Sequence, residues 1–412
     1  MRTLRSAFPV LVVVVLVLPA AAQSPVRRAT PESIGLAPAA LRDASALLRQ
    51  FAAEEKIAGA VAAVSRKGRV GYLEAVGVQD LQSRVPMSER TLFRIYSMTK
   101  PITAVAVMML HDEGRFALTD PVSMFLPEFA GVRVVDAPGA PPRAPVRAIT
   151  VEDLLLHTSG LSHRTSELYR ALEVRSRADT LPQFIGKIAR APLLEDPHTR
   201  FRYSEATTVL GRLIEVWSGQ SFDVFLQQRI FDPLGMADTS FWVRPEHASR
   251  LATVYGSKPG GGLSAVETEA LPVTTRPTLL EGAVGLISSV PDYLRFAQML
   301  LNNGELDGQR LLQAGTAERM TKNGLPDDVR KARGGPMGWG LANVNVLMDR
   351  VPGSSARVGE YGWDGTAGTI FWADPAAATI IVLMTQSVPA NPDGLRQKFK
   401  SIVQGAVLEG RE

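Results

Sequence analysis

Cysteine is absent from all 412 residues of this chain. That absence excludes a disulfide framework, a lipid attached at a leader junction, and every mechanism that runs through a thiolate. Histidine is scarce, with five in the chain and no H-E-x-x-H spacing among them, so nothing points to a catalytic zinc. G-x-S-x-G is missing as well, which argues against an α/β-hydrolase. Runs of like charge are lacking, and the net charge is only +4. That balance gives no case for nucleic acid or another anionic polymer as partner. Internal repeats and low-complexity tracts are also missing, so solenoids and disordered linkers drop out.

One long apolar run exists, over residues 7–18, preceded by Arg2 and Arg5 and followed by Pro19, Ala20, Ala21 and Ala22. It is too short to span a bilayer comfortably, and the small residues after it suit a signal peptidase. Residues 1–22 therefore read as a signal peptide with Gln23 as the mature start. The expected product is an exported protein, periplasmic or secreted, with no stable membrane anchor after cleavage.

The remaining chain alternates patterns. Residues 41–55 carry apolar side chains at helical spacing, and 59–65 and 70–76 read as two strands joined by a turn at Gly68. A strongly apolar helix is predicted over 98–113, ended by Gly114. Residues 115–281 are richer in helical pattern, at 207–217 and 222–230, with Pro- or Gly-rich surface loops at 137–148 and 258–277. The segment 260–265 (GGGLSA) loosely matches a dinucleotide-binding pattern, but no apolar strand precedes it, and it reads as loop. Strand-like runs return at 368–373 and 379–386 around Asp374-Pro375, and 395–408 closes as an amphipathic helix. The expected fold class is α+β: an antiparallel sheet flanked by helices and built from both chain ends (23–114 and 282–412), with a mainly helical inserted subdomain at 115–281.

Ser97-Met98-Thr99-Lys100 carries the chemistry. Residues three apart on a helix share one face, roughly 5–6 Å apart at Cβ, so a hydroxyl and an amine at this spacing can meet across one turn. Pro101 is compatible with a first helical turn, whose N–H groups lack intrahelical partners. Burial and the positive end of the helix dipole both disfavour the ammonium, as a lysine base requires. Alone, the same four residues describe equally well a capping serine beside a solvated lysine.

Several further motifs stand in order along the chain: residues 93–100 (FRIYSMTK), 154–161 (LLLHTSGL), Tyr203-Ser204-Glu205, 281–286 (EGAVGL) and Trp363-Asp364-Gly365. Together they resemble the serine β-lactamase and penicillin-binding-protein superfamily, most nearly its esterases related to class C β-lactamases. The resemblance spans most of the mature chain and implies the β-lactamase/DD-peptidase-like fold. It makes Ser97 the nucleophile, Lys100 its base and Tyr203 a catalytic phenol. It also lines the substrate site with Trp363, Asp364, Gly365 and Glu205, and pairs the N–H groups of Ser97 and Thr366 as oxyanion donors. A phenol beside a lysine cation is expected to lose its proton below the usual value of about 10. His157, by contrast, reads as structural.

Two departures bear on substrate. Trp363-Asp364-Gly365 stands where β-lactamases carry K-T-G, and Glu205 replaces the asparagine of Y-x-N. A carboxylate-binding lysine and an amide donor are both lost, so small neutral esters become the expected substrates, cleaved without cofactor or metal. A β-lactamase or D-Ala-D-Ala carboxypeptidase remains the alternative, with a lactam or amide in the site. A catalytically silent scaffold on the same fold is a further one. Oligomeric state is not legible.

Overall fold

The computed structural model describes residues 26–137, 139–266 and 273–408. The leader read at residues 1–22 lies outside the described residues. Among those described, no helix is long and apolar enough to cross a membrane.

A seven-stranded antiparallel sheet organises the molecule. Two of its strands come early, β1 (Gly59–Arg66) and β2 (Arg69–Gly77). Five come late: β3 (Met337–Gly340), β4 (Val344–Leu347), β5 (Tyr361–Asp364), β6 (Ile370–Asp374) and β7 (Thr379–Thr385). Their order across the sheet is β2-β1-β7-β6-β5-β4-β3. The two ends of the chain thus meet at the β1–β7 pairing, where Ala62 faces Leu383 and Val61 faces Met384.

Every residue of β1 and β7 is buried, because helices cover both faces of the sheet. Period-two alternation sorts their side chains. Ala60, Ala62, Val64, Ile381 and Leu383 join one apolar cluster with α1 (Pro38–Ala53) and α5 (Leu395–Gly405). Val61, Ala63, Ile380, Val382 and Met384 join the larger cluster, which holds α2 (Thr99–Asp112), α3 (Ala206–Ser218) and α4 (Val290–Leu301). Each buried valine, leucine, isoleucine or methionine among them contributes about 1.5–3 kcal/mol. A one-residue slip of either strand would exchange the two sets, so the register is well specified.

Helix α2 has no polar face: every residue from Thr99 to Leu110 is buried. It runs through the centre of the larger cluster with α3 packed along it, as a helix that is apolar all round must. The consequence for chemistry is that a lysine in its first turn is removed from water. Between residues 115 and 281 short helices predominate. Residues 260–265 are only partly the loop their sequence implies. Gly260, Gly261 and Gly262 all take positive φ, and the reversal they permit pairs Leu263–Ala265 with Tyr255–Ser257 as a small sheet.

Candidate active site

Ser97 stands two residues ahead of α2. Residues Tyr96–Met98 form a single 3₁₀ turn, and the α-helix begins at Thr99, slightly later than the predicted 98–113. Tyr96 holds φ at +43°, a left-handed conformation that costs a non-glycine residue about 1–3 kcal/mol. Both flanks of the turn are tied to compensate. Ile95 N–H donates to Leu286 O at 3.1 Å, and Tyr293 Oη donates to Met98 O at 2.9 Å. Nothing in the local sequence signals this bend, since tyrosine is not a turn residue.

Lys100 is fully buried, and its Nζ donates to Ala283 O at 2.9 Å. Its neighbours fasten the same segment to the helix. Thr103 Oγ1 donates to Gly282 O at 2.8 Å, and Leu286 N–H donates to Thr99 Oγ1 at 3.1 Å. The motif at 281–286, which carried no role in the sequence, is thus a strap along α2 that presents a carbonyl to the amine. Burial pushes the Lys100 amine down to about 7; the charge of Glu205 resists this and that of Arg164 assists it. A neutral amine is therefore well populated near pH 7.

Tyr203 comes from the turn ahead of α3. Lys100 Nζ sits 4.5 Å from the centroid of its ring, and the Ser97 and Trp363 side chains both approach its hydroxyl. The ring is packed among His157, His163, Trp339 and Trp363, with centroids 4.9–6.1 Å away. Ser97, Lys100 and Tyr203, separated by a hundred residues of chain, therefore converge. Their protons are not arranged as expected, however. Burial pushes the phenol well above its ordinary value, and Ser97 and Trp363 only partly offset this. Lysine, not tyrosinate, is the base available near neutrality.

Strand β5 ends in Trp363 and Asp364 and packs against the Ser97 turn. Gly365 makes that approach possible: a Cβ there would lie 2.4 Å from Ile95 O and 2.3 Å from Thr369 Oγ1. Thr366 follows in the turn between β5 and β6, exposed at the mouth of a cavity of about 300 Å³ that also takes Tyr96 into its wall. Asp364 turns toward α5, where Arg396 donates to its Oδ2 at 2.6 Å and to Gly365 O at 2.9 Å. Its charge is matched by that guanidinium, and its part is to brace the end of β5. Sequence spacing gave no hint of Arg396.

Glu205 is buried at the start of α3. Its Oε2 accepts from Thr208 Oγ1 at 3.1 Å, and its Oε1 lies 3.5 Å from Arg164. Burial raises this carboxyl, but Arg164, Lys100, His163 and Arg175 together outweigh burial and leave it below the ordinary value. Glu205 is therefore charged at neutral pH and holds the Lys100 amine up. Glu205→Gln is expected to lower that amine further and to move the acidic limb of the kcat/KM–pH profile to lower pH. Ester turnover followed across the neutral range measures this, and a limb that stays or moves upward contradicts it. His157 stands behind the site, where its Nδ1 meets both Ser204 Oγ (3.1 Å) and Ser204 N–H (3.3 Å). It positions the Tyr203 turn, the structural place read for it from sequence.

Among the described residues, the buried polar atoms without a hydrogen-bond partner include Tyr203 Oη, Trp363 Nε1, Glu205 Oε1 and Arg164 Nη1. Of these, Glu205 Oε1 and Arg164 Nη1 face each other as an ion pair at 3.5 Å, whereas Tyr203 Oη and Trp363 Nε1 lie on the Ser97 side.

The β-lactamase family model matches residues 44–402. The chain is 30% identical over 365 residues to Esterase EstB of Burkholderia gladioli, covering 83% of this chain and 89% of that one. It is 33% identical over 365 residues to Protein Rv1367c of Mycobacterium tuberculosis, covering 84% and 89%. Among solved structures, EstCE1, described as a hydrolase with promiscuous acyltransferase activity, superposes with a TM-score of 0.78 at 26% identity, covering 90% of this chain and 99% of that one. With a family model over nearly all described residues and the fold to match, the chain belongs to the serine β-lactamase and penicillin-binding-protein superfamily, in the company of its esterase-type members.

Proposed function

We propose that this protein cleaves ester bonds through an acyl-enzyme on Ser97. The observation that carries the reading is the meeting of three groups: Lys100 above the Tyr203 ring, the Ser97 side chain at its hydroxyl, and an amine held near 7 by burial. Ser97 Oγ attacks the carbonyl and gives its proton to the Lys100 amine, with the Tyr203 hydroxyl as intermediary. The N–H groups of Ser97 and Thr366 receive the oxyanion. Collapse expels the alcohol, which takes the proton back. Water, or a second alcohol, then attacks the acyl-enzyme by the same route in reverse. A hydrolase or acyl-transferring enzyme is what the family resemblance supports at the coarser level; EstB is named an esterase, and Lovastatin esterase of Penicillium rubens is 29% identical over 302 residues, covering 69% of this chain and 74% of that one.

Incubation with an activated short-chain ester is expected to add one acyl group to the intact protein, located on the peptide that contains Ser97. Mass spectrometry of protein quenched during turnover reads this directly. Adduct on any other residue would overturn the assignment.

A further inference from the structure

The cavity of about 300 Å³ beside Ser97 is bordered near the nucleophile by Tyr96 and Thr366. Much of its remaining wall is apolar: Phe241, Val254, Val273, Leu279 and Ile287 all reach it. Arginines stand there too, but they are engaged. Arg175 gives Glu281 a two-pronged pair at 2.5 and 2.6 Å, Arg164 faces Glu205 at 3.5 Å, and Arg94 donates to Ala252 O at 3.4 Å. Arg177 is not free either. With its guanidinium groups already committed, the wall offers an incoming group chiefly hydrocarbon, and filling it removes apolar surface from water.

The cavity lies to one side of the reacting carbonyl. Tyr203 and Trp363 do not border it, whereas Thr366, the proposed second oxyanion donor, does. In the scheme above the departing alcohol regains its proton through the Tyr203 hydroxyl, so it leaves on the Tyr203 side of Ser97. The space past Thr366 is then left to the other substituent of the carbonyl, the acyl chain.

Phe241 sets how much of that chain fits. Its ring is 6% exposed and stands 5.4 Å from the Phe222 ring. It also presses on Gly285, where a Cβ would come within 2.8 Å of two of its carbons. A ring packed this closely on two sides does not swing aside for a longer chain. At about 30 Å³ for each group the size of a water molecule, the cavity holds an acyl chain of roughly six to ten carbons.

From this placement, and resting on the ester reading above, we infer that the preferred substrates are esters of apolar, short- to medium-chain carboxylic acids, whose acyl group fills this cavity up to Phe241. Two series separate the acyl side from the alcohol side: 4-nitrophenyl esters from acetate to laurate, and acetates of alcohols from methanol to octanol. In the first, wild-type kcat/KM is expected to climb about two- to fourfold with each added methylene as far as hexanoate. It should then fall by about tenfold or more between octanoate and laurate. In the second it should stay nearly flat. Phe241→Ala is expected to move the optimum to longer chains and to raise the laurate-to-butyrate ratio about tenfold, whatever it does to the absolute rate. Val273→Phe, at a partly exposed place on the wall, should move the optimum to shorter chains. An optimum that neither substitution moves, or a slope along the alcohol series with none along the acyl series, overturns the inference.

If no ester of either series is turned over, the ester reading fails, and calorimetry on the Ser97→Ala protein still decides the cavity. Methyl hexanoate should bind about tenfold or more tightly than methyl acetate, and adding Val273→Phe should remove most of the difference. Equal affinity for the two would end the proposal.

Discussion

Ser97→Ala is expected to lower ester turnover by on the order of a thousandfold or more and to abolish the acyl adduct, with the fold intact. The substitution removes one hydroxyl from a buried 3₁₀ turn whose position is set by other groups. Ile95 N–H, Met98 O and the close approach of Gly365 hold the turn, and none of these uses the Ser97 side chain. The backbone N–H of residue 97 survives as an oxyanion donor, and Lys100 still donates to Ala283 O. What disappears is the atom that forms the bond to carbon. Steady-state kinetics with a nitrophenyl ester, together with intact mass after incubation, would show both losses. A variant with wild-type turnover would place the nucleophile elsewhere.

The elements that sequence revealed are those where one physical signal dominates. Residues 101–110 are almost wholly apolar, which foretold an apolar helix, and Thr99–Asp112 is that helix. The runs around Asp374-Pro375 are β-branched and tightly spaced, and they became β6 and β7. By contrast, β3 reads MGWG and β4 reads VNVL. Four residues with two glycines give no periodicity, and such strands are specified by their neighbours in the sheet. Helix α4, Val290–Leu301, carries ordinary signals, including a Ser289 cap that accepts from Asp292 N–H and a proline in the first turn. Its apolar side chains were legible as a pattern, but the sequence reading did not assign it.

At the site, identity of residues was easier to read than their electrostatics. Ser97, Lys100 and Tyr203 could be picked out because spacing and motif order name them. The direction of the Tyr203 proton could not, because it depends on how completely the ring is enclosed by Trp339, Trp363, His157 and His163. The resemblance set Asp364 along the substrate site. In space it is half of a pair with Arg396, thirty-two residues away in a helix on the far side of the sheet. The arginines of the cavity wall were equally invisible. Arg94 precedes the nucleophile, whereas Arg164, Arg175 and Arg177 flank the short helix Glu167–Ala171 in a separate segment, and no spacing rule connects them.

Lys100→Met should separate what this lysine does for chemistry from what it does to stability. Without the base, turnover is expected to fall by about 10²–10⁴-fold. Stability should move in the opposite direction near neutral pH. The folded amine titrates at about 7, against 10.5 for a free lysine. Below pH 7 both folded and unfolded chains hold the proton, and its burial costs folding about 4–5 kcal/mol. Between 7 and 10.5 the unfolded chain holds a proton that the folded one lacks, so stability climbs with pH and the cost vanishes above 10.5. Methionine fills nearly the same volume without charge, but it leaves Ala283 O without its donor, a loss of about 1–3 kcal/mol. Near neutrality the first effect exceeds the second, and the variant should unfold at higher temperature than wild type by the equivalent of about 1–4 kcal/mol. In strongly alkaline solution only the second effect remains, and the order should reverse. Thermal midpoints of the two proteins compared from neutral to alkaline pH test this. Curves that never cross, with the variant weaker throughout, would mean that the amine is not held near 7, and the proposed base would lose its physical basis.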